Sequence, residues 1–244
     1  MVEGTSSFNM QRYFVDRINN EFVFSEQDIF HISKVMRMKP GDKIEIVNEH
    51  KVYVASITSI HPFLIQVIQE NNFDSEIGYE VILFLPLLKS EKTELILQKA
   101  TELGVNKIIF YHSKRSIIHL NQSDFEKKLN RYKMIAKEAS EQSHRTYIPE
   151  IIGIIELKNI DQYKANINLF AYEAMAGSTS SLEDALKTKQ SVSVILGPEG
   201  GYDISEVNMI KEKGFIPISL GKRILRVETA AIYALSVISY NLEK

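Results

Sequence analysis

Two glycine turns near the carboxyl end of this 244-residue chain carry the residue types that could do chemistry. The first is Gly197-Pro198-Glu199-Gly200-Gly201; the second, Gly221-Lys222-Arg223, is followed closely by Arg226 and Glu228. Glycine permits backbone angles and close approaches that side chains forbid, so both turns can present bare N–H and C=O groups to a ligand. The spacing is not GxGxxG and no GKS or GKT follows, so neither a dinucleotide nor an NTP phosphate loop is indicated. Glu199 would also repel a phosphate. A phosphate-free ligand with a flat ring fits better, because bare backbone can hydrogen-bond the edge of an adenine. A plain αβ turn can need glycine for its own sake. Two such turns in register with Arg226 and Glu228 weigh against that.

The elements that must position these residues are short and locally encoded. Val192, Val194, Ile195 and Leu196 form a continuous apolar run, the pattern of a strand buried on both faces. Asp203 can cap the next helix, with Glu206 three residues on completing a capping box, and Gly214 ends it. A second strand-like run, Phe215 to Leu220, leads into the second turn, and an apolar helix begins near Ala230. Two strand ends, each followed by a glycine turn, build one crevice at the carboxyl edge of a sheet, where open α/β folds bind ligands.

The segments GPEGGYDISE and LGKRILRVETA, with others described below, resemble the RsmE family of the SPOUT superfamily, and the resemblance runs from Met10 to the end. Members methylate N3 of a uracil (uracil 1498 is the family target) in 16S ribosomal RNA of the small subunit, using S-adenosylmethionine. The resemblance implies an α/β fold: a SPOUT, trefoil-knotted methyltransferase domain preceded by a small PUA-like β-barrel that binds RNA. It also implies a homodimer whose apolar carboxy-terminal helix lies near the two-fold interface. The domains are expected at residues 10–72 and 76–244. Val227 stands where the family often has Thr, and Tyr202-Asp203 varies its aromatic-serine pair; neither removes chemistry.

Composition bounds the alternatives. Hydrophobic and charged fractions of 44% and 25% are those of an ordinary globular protein. No apolar run approaches the roughly 20 residues that span a bilayer, and no signal-peptide pattern opens the chain, so the cytoplasm is the expected location. With no cysteine there is no disulfide, no thiolate metal site and no thiol to attack a pyrimidine ring. The six histidines show no paired metal spacing, so no metal is expected. Net charge is −2, and residues 1–72 hold seven Lys/Arg against nine Asp/Glu. RNA affinity rests on neutralising phosphates, so any RNA site must be local.

Met1 to Asn9 lacks periodicity and reads as a leader, with Met10 as a start. Strands are expected at Arg12–Val15, Lys43–Val47, Val52–Ile57 and Phe63–Val67, with a helix from Glu26 to Met36 capped by Ser25. Lys34, Arg37, Lys39 and Lys43 cluster against the single Asp42, which could be no more than a solvated helix face. The resemblance makes Arg12, Lys34 and Arg37 candidates for RNA contacts, matching its RYF-like and VxR motifs.

Asn71 to Gly78 reads as a linker, after which strand and helix alternate. Val81–Leu85 is a strand; Ser90 or Thr93 caps a helix that Gly104 ends; Lys107–His112 is a strand; a long helix runs from about Ser123 to His144. Pro149-Glu150 opens a connection, and Asn168–Tyr172 is a strand with Glu173 after it. Arg115, in the turn after His112, and Arg145, in the EAxxQSxR segment, are further RNA candidates. The resemblance assigns the cofactor site to Glu173, Gly197, Pro198, Glu199, Gly200, Gly201, Leu220, Gly221, Ile224, Leu225, Thr229 and Ala230. Methyl transfer to a ring nitrogen must favour loss of the N3 proton. Arg226 is therefore expected to orient the base or stabilise its anion, and Glu228 to take the proton or to fix Arg226. A buried Arg226–Glu228 pair that only braces the turn is the plain alternative. A SPOUT enzyme acting on transfer RNA, and a non-catalytic RNA-binding factor of this fold, are the rival functions.

Overall fold

The computed structural model describes residues 10–19, 21–72, 74–175 and 182–244, so the expected leader, Met1 to Asn9, lies outside the described residues. The chain divides into two compact units. One holds residues up to Ser75 together with Ser140–Tyr147; the other holds Glu76–Ala139 and Ile148–Lys244.

In the first unit, β1 (Arg12–Phe14), β4 (Lys43–Asn48), β5 (Lys51–Ile60) and β6 (Phe63–Asn71) form one sheet in that order. The β1–β4 pair is parallel and the others antiparallel. A small hairpin, β2 (Asp16–Ile18) with β3 (Glu21–Val23), stands apart from it. Ser25 caps α1 (Glu26–Phe30), its side chain accepting from the Asp28 N–H at 3.1 Å. The expected single helix to Met36 changes character instead: His31–Val35 is a π-helix, and Arg37 beyond it is left-handed at φ 55°. Tyr13, Ile32, Ile44, Ile46, Ala55 and Ile57 make the core.

Parallel pairing sets Arg12 directly opposite Glu45, and this pair decides the fate of an expected RNA contact. Both side chains are fully buried, with Arg12 Nε and Nη2 donating to Glu45 Oε2 at 3.0 and 2.7 Å. Glu45 also accepts from Asn71 Nδ2 at 3.1 Å and lies 3.1 Å from His144 Nδ1. Arg12 Nη1 caps the carbonyls of His144 and Arg145. Arg145 is itself only 3% exposed. The expectation that Arg12 and Arg145 face RNA is thus corrected: the first is a structural ion and the second is buried. Lys34 and Arg37 are exposed.

The second unit is a six-stranded, wholly parallel sheet. Its order is β12 (Ile216–Ile218), β10 (Ile167–Ala171), β11 (Val192–Ile195), β7 (Val81–Pro86), β8 (Lys107–His112) and β9 (Glu150–Glu156). Along β7, Val81, Leu83 and Leu85 enter one core and Ile82 and Phe84 the other, because successive side chains alternate across a sheet. The first core takes Leu97 of α2 (Ser90–Glu102), Phe125 and Tyr132 of α3 (Gln122–Gln142), Leu182 of α4 (Leu182–Ala185) and Ala231 and Leu235 of α6 (Val227–Glu243). The second takes Val207 and Ile210 of α5 (Ile204–Glu212), with Leu157 and Ile160. Helices on both faces explain the unbroken apolar runs of the central strands.

Four local expectations are corrected. β9 begins where only a connection was expected. Neither Ser90 nor Thr93 caps α2; Lys89 is the cap residue, and Thr93 Oγ1 donates back to the Lys89 carbonyl at 3.2 Å. The last helix starts at Val227, three residues before Ala230, with Arg226 as its cap residue. β12 covers only the middle of the run Phe215 to Leu220.

Removing one partner of a buried ion pair leaves an uncompensated charge, at a cost of about 3–5 kcal/mol. Arg12→Met is therefore expected to lower the unfolding free energy measured by urea titration by that amount, with Lys34→Met near wild type. An Arg12→Met protein as stable as wild type would contradict the structural role.

Candidate active site

The carboxyl ends of β10, β11 and the chain after β12 meet in one pocket within the second unit. Its volume is 670 Å³, inside the range typical of small-molecule sites. Glu173 follows β10, Gly197 to Gly201 follow β11, and Leu220 to Ala230 complete the wall, with Lys92 reaching in from α2. Eleven of the twelve residues expected at a cofactor, and Arg226, line this one pocket. Thr229, exposed on α6, does not, and neither does the expected catalytic Glu228.

The first turn is held from beneath by buried aromatic residues. Tyr111 donates its hydroxyl to the Leu196 carbonyl at 2.6 Å, and Tyr202 to the Ile195 carbonyl at 3.3 Å. Burial pushes both phenols far above their ordinary pKa, so they remain neutral donors. A β-carbon at Gly197 would lie 2.9 Å from the Tyr202 ring, and one at Gly200 3.1 Å from the Arg115 backbone oxygen. Gly201 is left-handed at φ 68°, and a β-carbon there would collide with the Glu173 carboxylate. Glycine is required here by space as well as by angle.

The expected capping box is present at α5. Asp203 accepts from the Ser205 N–H at 3.0 Å, and Glu206 accepts from the Asp203 N–H at 3.0 Å. Glu206, only 3% exposed, also takes the Ser113 hydroxyl at 3.1 Å and the Lys114 N–H at 2.8 Å. One carboxylate thus ties the loop after β8 to the turn after β11. It sets exposed Arg115 beside Gly200, with its guanidinium 3.5 Å from Asp203.

Arg226 is exposed on the pocket wall and caps α6 through backbone alone. Glu228, in the first turn of α6, is not paired with it among the described residues, which removes the support for a bracing Arg226–Glu228 pair. The cation near Glu228 is Lys92. Lys92 Nζ hydrogen-bonds Glu199 and stands 3.5 Å from Glu228 Oε2, which is buried and makes no hydrogen bond. The hydrogen bond to Glu199 holds the Lys92 pKa above the ordinary lysine value. Lys92 is the residue that sequence reasoning missed. Its one signal is position: a cation in the first turn of α2 opposes the helix dipole.

Comparison with known proteins defines the class first. Residues 75–239 match the model of an RNA methyltransferase domain, and residues 24–68 that of an RNA methyltransferase PUA domain. The fold and pocket are therefore those of a PUA-containing RNA methyltransferase. Ribosomal RNA small subunit methyltransferase E of Bacillus subtilis is 33% identical over 96% of this chain and 98% of its own. Its counterpart in Mesomycoplasma hyopneumoniae is 35% identical over 93% and 98%. The chain belongs to the ribosomal RNA small subunit methyltransferase E family. A methyltransferase of Legionella pneumophila, solved with the cofactor SAM, superposes with a TM-score of 0.85 at 28% identity over 95% of this chain and 97% of that one. The Neisseria gonorrhoeae family member, bound to S-adenosyl methionine, gives 0.84 at 26% identity over the same shares.

Proposed function

We propose that this protein methylates N3 of a uracil in 16S ribosomal RNA, with S-adenosylmethionine as donor. The observation that carries the reading is the pocket's make-up: backbone stripped of β-carbons on two turns, apolar Leu220 and Leu225 beside them, and carboxylates at Glu173 and Glu199. That chemistry fits an adenosyl group carrying a sulfonium cation. The family of the chain and its SAM-bound relatives support the same donor. Bound there, S-adenosylmethionine would supply an electrophilic methyl group, the carbon–sulfur electron pair staying with sulfur as N3 gains the methyl.

The chain's own residues have the remaining tasks. Glu228 accepts the N3 proton through its carboxylate, whose side chain is 17% exposed while Oε2 lies buried beside Lys92. Arg226, exposed at the same wall, donates to a uracil carbonyl and offsets the charge that develops as the proton leaves. The glycine turns hold the donor without side-chain reorganisation, which is worth most when donor and acceptor must meet in line.

Residues 10–72 serve as the RNA-binding part and 76–244 as the methyltransferase part, although Ser140–Tyr147 packs with the former. Lys34, Arg37 and Arg115 are exposed and remain as RNA contacts. The protein works in the cytoplasm as a homodimer; among the described residues no helix is long and apolar enough to cross a membrane. Support for a self-association face comes from α6. Thr229, Tyr233, Ser236 and Tyr240 repeat at helical spacing on its exposed side, with Tyr233 45% and Tyr240 60% exposed.

Isothermal titration should show S-adenosylmethionine binding that Gly201→Arg abolishes, because the new side chain enters the wall against Glu173. Binding that persists in Gly201→Arg would place the donor elsewhere. Sedimentation at micromolar protein should give a dimer that Tyr233→Asp with Tyr240→Asp converts to monomer; a wild-type monomer would overturn the assembly.

A further inference from the structure

We infer that Lys92 is a positioning residue for the methyl transfer, its ammonium, itself on the pocket wall, holding the Glu228 carboxylate beside the pocket while Glu199 anchors Lys92. The inference rests on the proposed role of Glu228 as proton acceptor. Three elements remote in sequence meet at this one ammonium: the first turn of α2, the first glycine turn and the first turn of α6. α2 and α6 pack against each other, so the meeting is fixed by the core.

Four observations separate a positioning role from a surface ion pair. Lys92 stands where a cation is disfavoured, in the first turn of a helix whose dipole favours acids. Its partners are half-buried and line or adjoin the pocket: the side chains of Lys92, Glu199 and Glu228 are 30%, 28% and 17% exposed. Glu228 Oε2 is buried with no hydrogen-bond partner, so the ammonium 3.5 Å away is what offsets its charge. Glu199, the closer partner, keeps Lys92 protonated and fixed at the rim. An ammonium carries three donors and Glu199 occupies one. The remaining donors can therefore hold Glu228 at the same time.

In the step itself, N3 gains the methyl group as the donor's carbon–sulfur bond breaks, the N3–H bond breaks, and its proton passes to the Glu228 carboxylate. Lys92 neither gives nor takes a proton. Removing its charge loosens the acceptor and leaves Glu199 free at the pocket wall, which does nothing to weaken attraction for a cationic donor.

The test compares wild type with Lys92→Met, Lys92→Gln, Lys92→Arg and Glu228→Gln, using tritiated S-adenosylmethionine and small-subunit ribosomal RNA. Donor affinity is read by isothermal titration and folding by circular-dichroism melting. Lys92→Met and Lys92→Gln should each lower kcat by about 10- to 100-fold, the scale of a misplaced catalytic group, with donor Kd within about twofold of wild type. Lys92→Arg should restore most of kcat. Unchanged kcat in either neutral variant overturns the inference. So does a parallel loss of kcat, donor affinity and melting temperature that Lys92→Arg fails to repair, since that pattern marks simple bracing. If Glu228→Gln retains full turnover, the acceptor reading itself falls and the inference with it. If Glu228→Gln is inactive while Lys92→Met is not, only the role of Lys92 falls.

Discussion

The structure depends on how closely bare backbone can approach side chains at the turn after β11. Gly197 lies over the Tyr202 ring, Gly200 over the Arg115 backbone and Gly201 over the Glu173 carboxylate. A β-carbon at Gly197 or Gly200 would press on something that is itself fixed, and Gly201 is held to glycine by its positive φ. Tyr202 and Tyr111 are buried and bonded to strand carbonyls, and Arg115 is held by the Glu206 network. Shape at this turn is therefore set by packing from below, and the pocket above it is preformed. Substrate binding need not first order the loop, which is how a site keeps reacting groups within the tolerance that in-line transfer demands.

The charges around the pocket follow the same economy. Glu173 and Glu199 share the pocket wall with Lys92, Arg223 and Arg226. On the proposed reading, an RNA substrate approaches through Arg226, Arg223 and the exposed Arg115. The chain's net charge of −2 fits this local division of labour. Cations stand where phosphates pass, and carboxylates where the donor sits.

What could be read from the sequence was what is decided over a few residues. Asp203 and Glu206 lie three apart, and their reciprocal bonds form as expected; Ser25 and Gly214 likewise mark helix ends. Both glycine turns were legible because only glycine tolerates their geometry. Two of the misses need partners distant in the chain. Arg12 reads as a surface cation until parallel pairing sets it across from Glu45. Lys92 looks like an ordinary helix lysine until Glu199 and Glu228 close around it. The start of α6 was misplaced because no capping side chain marks Val227 as its first residue. β9 carries Gly153 and half-buried residues, a weaker pattern than the fully buried β7.

The most direct test is nucleoside mass spectrometry of 16S ribosomal RNA from cells lacking this protein, with and without purified protein and S-adenosylmethionine added back. The account predicts that 3-methyluridine is missing from that RNA and returns on addition. Unchanged 3-methyluridine in the deletion strain would contradict it, and methylation appearing instead on transfer RNA would reassign the substrate while leaving the pocket in place.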